Sequence, residues 1–261
     1  MLMLQNEEQV PKHAFSLTIT EAGNQHTPII SAGKLKELYT LMARLRAADP
    51  KRKSRRGKTR RHCFGEACEV AAVIDLRPED AVTILPDQRV ALLASSENQP
   101  DGKLRGNSAA GWSVLEGGNR ERLAMAAGIA FAQRMERKNS VVVAFATSPD
   151  IAGAADSVQF AHKQNLPIIY LEKTGANVPK LKPIPHNVPS IPVDENDAVA
   201  VYRVVYEAID KARRGAGPTL IRCFELPLST KARVKDQRTD PIAYMEHYLR
   251  KRSLWSDELR S

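Results

Sequence analysis

The stretch from residue 141 to residue 172 constrains the fold of this chain most strongly. Residues 141–145 read VVVAF, residues 148–165 carry apolar side chains at three- and four-residue spacing, and residues 166–172 read LPIIYLE. Short apolar runs bounded by breakers are typical of buried parallel strands, and the three-and-four spacing is typical of the helix that crosses between them. The sequence therefore predicts a parallel strand–helix–strand unit here.

The same patterns predict the other elements. Further helices are predicted at residues 31–49, 66–76, 120–137, 197–214 and 241–251, and further strands at residues 16–20, 81–85, 191–193 and 219–226. Residues 96–118 and 175–190 are rich in breakers and are predicted to be loops. The alternation predicts an α/β fold with a doubly wound, mostly parallel sheet and helices on both faces. We expect residues 1–30 to be loosely structured and residues 31–261 to form one domain.

Composition is compatible with a single α/β domain. The 261 residues, 43% of them apolar, can bury one core without disulfides or a metal. Three cysteines are sparse, as in a reducing compartment, and the spacing of His62, Cys63 and Cys68 matches no standard zinc pattern. Those two cysteines are predicted to be small buried side chains. The first dozen residues lack a signal-like apolar segment, and no uncharged run approaches the roughly 20 residues that span a bilayer. A cytoplasmic protein without membrane contact is expected.

A basic run between residues 51 and 61 carries almost the whole charge excess. Its eight cations account for all but one unit of the formal net charge of +9, and it contains no acid. They are Lys51, Arg52, Lys53, Arg55, Arg56, Lys58, Arg60 and Arg61. The run fits a solvated linker, an anchor for an acidic protein partner, or a site for nucleic acid. Nucleic acid is the least favoured because no aromatic side chain is present to stack on bases.

Several segments resemble one enzyme family. They are VVVAF, KQNLPIIYLEKTG, KELYTLMARLRAAD, GEACEVAAVIDLRPEDAV, LAMAAGIAFAQR, VDENDAVAVYRVVYEAIDKARRGAGPTLIRCFEL and RTDPIAYMEHYLRKRSLWSDEL. Together they resemble the alpha subunit of the thiamine-diphosphate-dependent 2-oxo acid dehydrogenases, the pyruvate and branched-chain decarboxylating components, over most of residues 31–259. The resemblance implies the thiamine-diphosphate-binding fold, with thiamine diphosphate and magnesium held between alpha and beta subunits.

The metal motifs of that family do not match. In the family, a Gly-Asp-Gly follows the first core strand and two asparagines end the second, and an Asp and an Asn from these motifs hold the magnesium. Here residues 146–150 read ATSPD and residues 172–174 read EKT, so Lys173 stands where a neutral ligand is expected. Magnesium requires near-octahedral oxygen ligands, and a cation beside it is repulsive. We therefore expect no metal site and no bound cofactor.

The family's histidines are missing as well. Its arginine–histidine cluster should fall near ILPDQRVALLASS, where only Arg89 remains, and PLSTKARVKDQ replaces its last histidine loop. None of the six histidines matches an active-site position. No catalytic residue is predicted. The candidate cofactor contacts that remain are Arg89, Thr147, Ser148 and Asp150.

The start of the crossover helix still fits a ligand site. Ser148 is the predicted N-cap and Pro149 the first helical residue, at the carboxyl end of a core strand where open α/β sheets bind ligands. Free N–H groups there could hold an anion. For Asp150, stabilisation of the helix dipole is favoured over metal ligation.

Three functional hypotheses follow. The first is a pseudoenzyme, inactive on its own, that keeps the family's assembly surface and pairs with itself or with a beta-type subunit. The second is an active decarboxylating subunit, an oxidoreductase with a lipoyl disulfide acceptor, that binds its cofactor in an atypical way. The third is a module that binds polyanions through residues 51–61.

Overall fold

The computed structural model describes residues 30–48, 64–85, 88–90, 93, 113–115, 119–174, 187–224 and 240–260. The predicted N-terminal segment, including the strand at residues 16–20, and the basic run at residues 51–61 lie outside these ranges. So do His62, Cys63 and most of the two predicted loops.

Strands and helices alternate along the described chain. The strands are β1 (Ala81–Thr83), β2 (Ser113–Leu115), β3 (Val142–Thr147), β4 (Ile168–Lys173), β5 (Ser190–Asp194) and β6 (Thr219–Phe224). The helices are α1 (Ala32–Ala47), α2 (Glu66–Val73), α3 (Asn119–Met135), α4 (Ser148–Gly153), α5 (Ala155–Lys163), α6 (Ala198–Arg213) and α7 (Pro241–Lys251), and a 3₁₀ helix spans Asp257–Arg260.

All six strands form one parallel sheet in the order β2-β1-β3-β4-β6-β5. From β1 the chain moves to the edge at β2 and then returns to β3 on the other side of β1. The strand order therefore reverses between β1 and β3. In sheets of this kind, ligands bind outside the carboxyl ends of the strands at such a reversal.

Helices cover both faces of the sheet, which confirms the predicted doubly wound fold. Alternate residues of β3 point to opposite faces: Val143 and Phe145 belong to a core that includes α1, α2, α6 and α7, whereas Val142 and Ala144 belong to a core that includes α3, α4 and α5. Strands buried on both sides are apolar at almost every position, and this explains the continuous runs in the sequence.

Most predicted elements are confirmed, some with shifted ends. Ser31 caps α1 and accepts a hydrogen bond from the backbone N–H of Lys34. Asp197 caps α6, and Gly215 follows it with a φ of +81°. Helix α7 has the predicted bounds. Helix α2 is three residues shorter than predicted because a turn begins at Ile74.

Three predictions at the centre of the chain were wrong in detail. The crossover helix is two helices, because Ala154 leaves the helical conformation with φ −109° and ψ 25°. Its N-cap is Thr147 rather than Ser148. Part of the loop predicted at residues 96–118 is strand β2, an edge strand of three residues that is too short to leave a periodic signal. In the described part of the chain, no helix is long and apolar enough to cross a membrane.

Candidate functional site

The candidate site lies at the carboxyl edge of the sheet, where β3 runs directly into α4. Thr147 ends the strand and caps the helix. Its hydroxyl accepts a hydrogen bond from the backbone N–H of Asp150 at 3.4 Å, and the Asp150 carboxylate accepts one from the backbone N–H of Thr147 at 2.8 Å. This reciprocal pair is a capping box, which explains why the helix begins at this point.

Asp150 also forms a buried ion pair. The Arg122 guanidinium, on the first turn of α3, donates to Asp150 Oδ2 at 3.2 Å, and both side chains are almost fully buried. The carboxylate is therefore shared between a helix cap and an arginine. The helix-stabilising role predicted for Asp150 agrees with this geometry.

The ends of β4 and β6 carry two further ion pairs, the first buried and the second partly buried. Arg222 on β6 donates to Glu172 on β4 at 2.7 Å. Lys173, the last residue of β4, forms a short ion pair with Glu195, which follows β5. The strands β4 and β5 are not neighbours, so this pair crosses the end of β6.

A fourth charged group lies at the start of helix α2. Glu66, at the start of α2, accepts two hydrogen bonds from Arg46 of α1, each at 3.0 Å, and one from Arg89 at 2.8 Å. Burial alone would raise the pKa of Glu66, but the hydrogen bonds and positive charges of Arg46 and Arg89 outweigh it and lower this pKa to about 2. Glu66 is therefore ionised at every ordinary pH.

Glu69, one helical turn further along α2, has the opposite character. Its side chain is fully buried, and its carboxylate lies 3.4 Å from Arg89 Nε without forming a well-aligned hydrogen bond to any described residue. Burial raises the pKa of Glu69 to about 8, although the Arg89 charge partly opposes the shift. At neutral pH this carboxyl is therefore largely protonated.

Two buried cysteines join α2 to the sheet. The Sγ atoms of Cys68 on α2 and Cys223 on β6 lie 3.5 Å apart, and both thiols are free. Burial raises the pKa of the Cys68 thiol well above its usual value. The prediction that Cys68 is a small buried side chain is confirmed.

The predicted site residues fall into two groups. Thr147, Ser148 and Asp150 lie together at the start of α4, where the Ser148 hydroxyl donates to the Lys173 carbonyl at 3.4 Å. Arg89 bonds instead to Glu66 and to the Phe64 carbonyl. The hydrogen bonds of Arg89 therefore do not connect it to the other predicted cofactor contacts.

Three important residues of this edge escaped the sequence analysis. Arg122, Glu195 and Glu69 each depend on a contact between elements that are distant along the chain. Of these three, only Glu195 could have been predicted from the sequence. It directly follows a short strand, and the carboxyl ends of parallel strands meet at one edge of the sheet. Among the described residues, no three His, Cys, Asp or Glu side chains are grouped so that they could hold a metal.

Comparison with known proteins identifies the family. The family described as "Dehydrogenase E1 component" matches residues 36–226. The chain belongs to this family. A 2-oxoisovalerate dehydrogenase subunit alpha from Bacillus subtilis is 30% identical over 164 residues, and a pyruvate dehydrogenase E1 component subunit alpha from Staphylococcus aureus is 28% identical over 163 residues. The resemblance to the alpha subunit of the thiamine-diphosphate-dependent 2-oxo acid dehydrogenases is confirmed.

The matches cover only part of each protein. They include 51% of this E1-family chain, and 49% and 44% of the two relatives, so the chain spans about half the length of the curated relatives it matches. Among solved structures, benzoylformate decarboxylase from Polynucleobacter necessarius aligns with a TM-score of 0.42 at 15% identity, over 69% of this chain and 35% of that chain.

Proposed function

We propose that this chain is a non-catalytic alpha-type member of the E1 family that serves in assembly or regulation of a dehydrogenase complex. The proposal depends chiefly on one observation, the ion pair between Lys173 and Glu195 at the end of β4. By resemblance, that strand end is where the family has a neutral metal ligand. A lysine ammonium has three donors and no acceptor, so it cannot coordinate a cation.

The end of β3 supports the same proposal. By resemblance, the family's metal-binding Asp is expected in the region of Thr147, whose hydroxyl oxygen accepts from the Asp150 N–H. The Asp150 carboxylate accepts from the Thr147 N–H and from Arg122. To bind magnesium, these oxygen atoms would have to lose the hydrogen bonds that they accept from backbone N–H groups and from the buried Arg122. The residues present therefore do not fit the thiamine diphosphate–magnesium pair.

An assembly role finds support on the opposite side of the sheet from α2. Helix α3 exposes Met125, Phe131 and Met135, and α5 exposes Phe160. The Phe131 and Phe160 rings lie 5.6 Å apart between their centroids, so these two side chains belong to one apolar surface. Subunit contacts are enriched in Phe and Met. The proposed partner is a beta-type dehydrogenase subunit or a second copy of this chain.

Titration with thiamine diphosphate and magnesium tests the proposal. The thermal unfolding midpoint of the chain is measured with both, with cofactor plus chelator, and with a beta-type subunit added. A cofactor bound only to the folded state at a hundred times its Kd would add about 2.7 kcal/mol of stability. We expect no magnesium-dependent rise. A clear rise that the chelator abolishes would refute the proposal.

The alternative is an active decarboxylating subunit with atypical cofactor binding. It is favoured by the start of α4 at the carboxyl end of β3, beside the strand-order reversal. This reading requires release of CO₂ from a 2-oxo acid by the chain together with a beta-type partner, with an artificial electron acceptor in place of the lipoyl group. Activity in that assay, lost when the cofactor is removed, would establish the alternative.

A further inference from the structure

A concave site lies at the amino-terminal edge of the sheet, away from the carboxyl ends of the strands described above. It has a volume of about 410 Å³ and lies between the end of α3, the end of α6 and the starts of β3 and β4. Arg134, Arg137, Lys138 and Arg213 line it, and none of its lining residues is acidic. We refer to this site as the basic pocket.

Two of the four cations are already neutralised. Arg213 donates to the buried Asp80 at 2.7 Å and to the Asn139 carbonyl at 2.6 Å. Lys138 forms an exposed ion pair with Glu136 at 2.5 Å. Arg134 and Arg137 form no ion pair with any residue in the described ranges. The basic pocket therefore presents about two uncompensated positive charges.

Stabilisation of the helix end accounts for only one of these two arginines. Arg134 lies in the last turn of α3, where a cation is favourable, but Arg137 lies beyond the helix. The backbone N–H of Arg137 donates to the Arg134 carbonyl at 3.0 Å, and that of Lys138 to the Gln133 carbonyl at 2.9 Å. The Gln133 and Arg134 carbonyls thus have backbone partners and do not need a guanidinium.

Uncharged groups complete the lining of the basic pocket. Ser140, which is 1% exposed, lines it, and its hydroxyl forms no hydrogen bond within the described residues. Buried hydroxyls nearly always have a partner, and a bound molecule or an ordered water at this position would supply one. Asn165 adds a side-chain amide.

We propose that the basic pocket binds a small metabolite through a phosphate monoester. Such a group carries a charge of about −1.5 to −2 at pH 7, which matches the two uncompensated arginines. Guanidinium groups bind phosphate oxygens in a bidentate manner. The volume lies in the range of roughly 300–1,000 Å³ typical of small-molecule sites, whereas a polyanion such as DNA requires an extended surface.

Calorimetric titration of the full chain tests this proposal. The probes are adenosine 5′-monophosphate, inorganic phosphate and adenosine, each with a chelator present. We expect saturable binding of the monophosphate, with a Kd below about 1 mM, weaker binding of inorganic phosphate, and none of adenosine. Failure of both phosphates to bind would overturn the proposal. Because a chelator is present, this binding does not depend on magnesium, whereas the thiamine diphosphate test of the carboxyl edge does. The two proposals can therefore fail independently of each other.

A pair of matched variants locates the binding. Arg134→Gln combined with Arg137→Gln should weaken the Kd for the monophosphate at least about tenfold. Arg203→Gln combined with Lys251→Gln removes the same charge at exposed positions, and Arg203 lies about 15 Å along α6 from Arg213 by helical rise. This control should change the Kd less than about twofold.

Other outcomes would count against the pocket. Equal weakening in both double variants would mean non-specific attraction, and unchanged binding in the pocket variant would place the phosphate elsewhere, such as residues 51–61. Binding of duplex DNA that depends on the two arginines, without binding of the monophosphate, would refute a small ligand. If the pocket variant unfolds, as circular dichroism would reveal, Arg137→Gln alone should still weaken the Kd, and a Kd unchanged in that folded single variant would overturn the proposal.

Discussion

The ammonium of Lys173, at the end of β4, and the carboxylate of Glu195, directly after β5, form a partly buried ion pair between two strands that are not neighbours. Their side chains are 20% and 3% exposed. Cys223 of β6 lies in register with Lys173 on one side and with Val193 on the other, so the pair crosses the end of β6. A structural contact therefore occupies the strand end at which the family resemblance implies a metal ligand.

Removal of one partner of this pair should be costly. Lys173→Met removes a cation that pairs with the buried Glu195 carboxylate, and we expect a loss of about 3–5 kcal/mol in the free energy of unfolding. Adding Glu195→Gln to this variant should recover much of the loss, because the buried carboxylate charge is then removed as well. Urea denaturation measures both changes. Lys211→Met, which breaks the exposed Lys211–Glu207 pair, is the control and should cost less than about 1 kcal/mol.

The sequence predicted the sheet but not its charged edge, and the reason is the range of the interactions. Apolar runs and helix caps such as Ser31 depend on neighbours within a few residues, so they can be identified locally. The pairing of Lys173 with Glu195 depends on β6 lying between β4 and β5, and the contact of Cys68 with Cys223 spans 155 residues. Neither relationship leaves a local pattern.

Glu69 should make stability fall as the pH rises from about 4.5 to 8. The folded protein keeps this carboxyl protonated up to a pKa of about 8, whereas the unfolded chain loses the proton near pH 4.5. Between these values the folded state binds one more proton, so the free energy of unfolding decreases by up to about 1.4 kcal/mol per pH unit.

The test compares denaturation of the parent chain and of Glu69→Gln between pH 5 and pH 8. The variant should show a flatter pH dependence. Glu66 acts only below pH 4.5, because its pKa is lowered to about 2, and it should not affect this window. Glu207→Gln, at an exposed position, is the control and should leave the slope unchanged. A slope that Glu69→Gln does not alter would show that another group causes it.

The buried thiols should be chemically inert in the folded protein. The reactive species is the thiolate, and burial both raises the pKa of Cys68 and excludes reagents from Cys68 and Cys223. Iodoacetamide at pH 7.5 should label neither cysteine in native buffer and both in concentrated urea, as measured by peptide mass spectrometry. Rapid labelling of either residue in the native protein would contradict the buried arrangement.

The apolar surface on α3 and α5 should mediate association. Met135→Lys combined with Phe160→Glu changes two exposed positions, so the folded monomer should keep its stability within about 1 kcal/mol. We expect the double variant to lose self-association or binding to a beta-type subunit, measured by light scattering after size-exclusion chromatography. The parent chain remaining monomeric with and without that subunit would remove the basis for the assembly role.

The basic run at residues 51–61 should contribute to the net charge of the protein but not to its free energy of unfolding. Changing Arg55, Arg56, Arg60 and Arg61 to Gln should leave the free energy of unfolding within about 0.5 kcal/mol if the run is a solvated linker. We expect the parent chain to bind DNA only weakly. This binding should disappear near physiological salt, because binding to the phosphate backbone depends on counterion release. Sub-micromolar binding that survives about 0.2 M salt, and that these four changes abolish, would instead establish the run as a polyanion site.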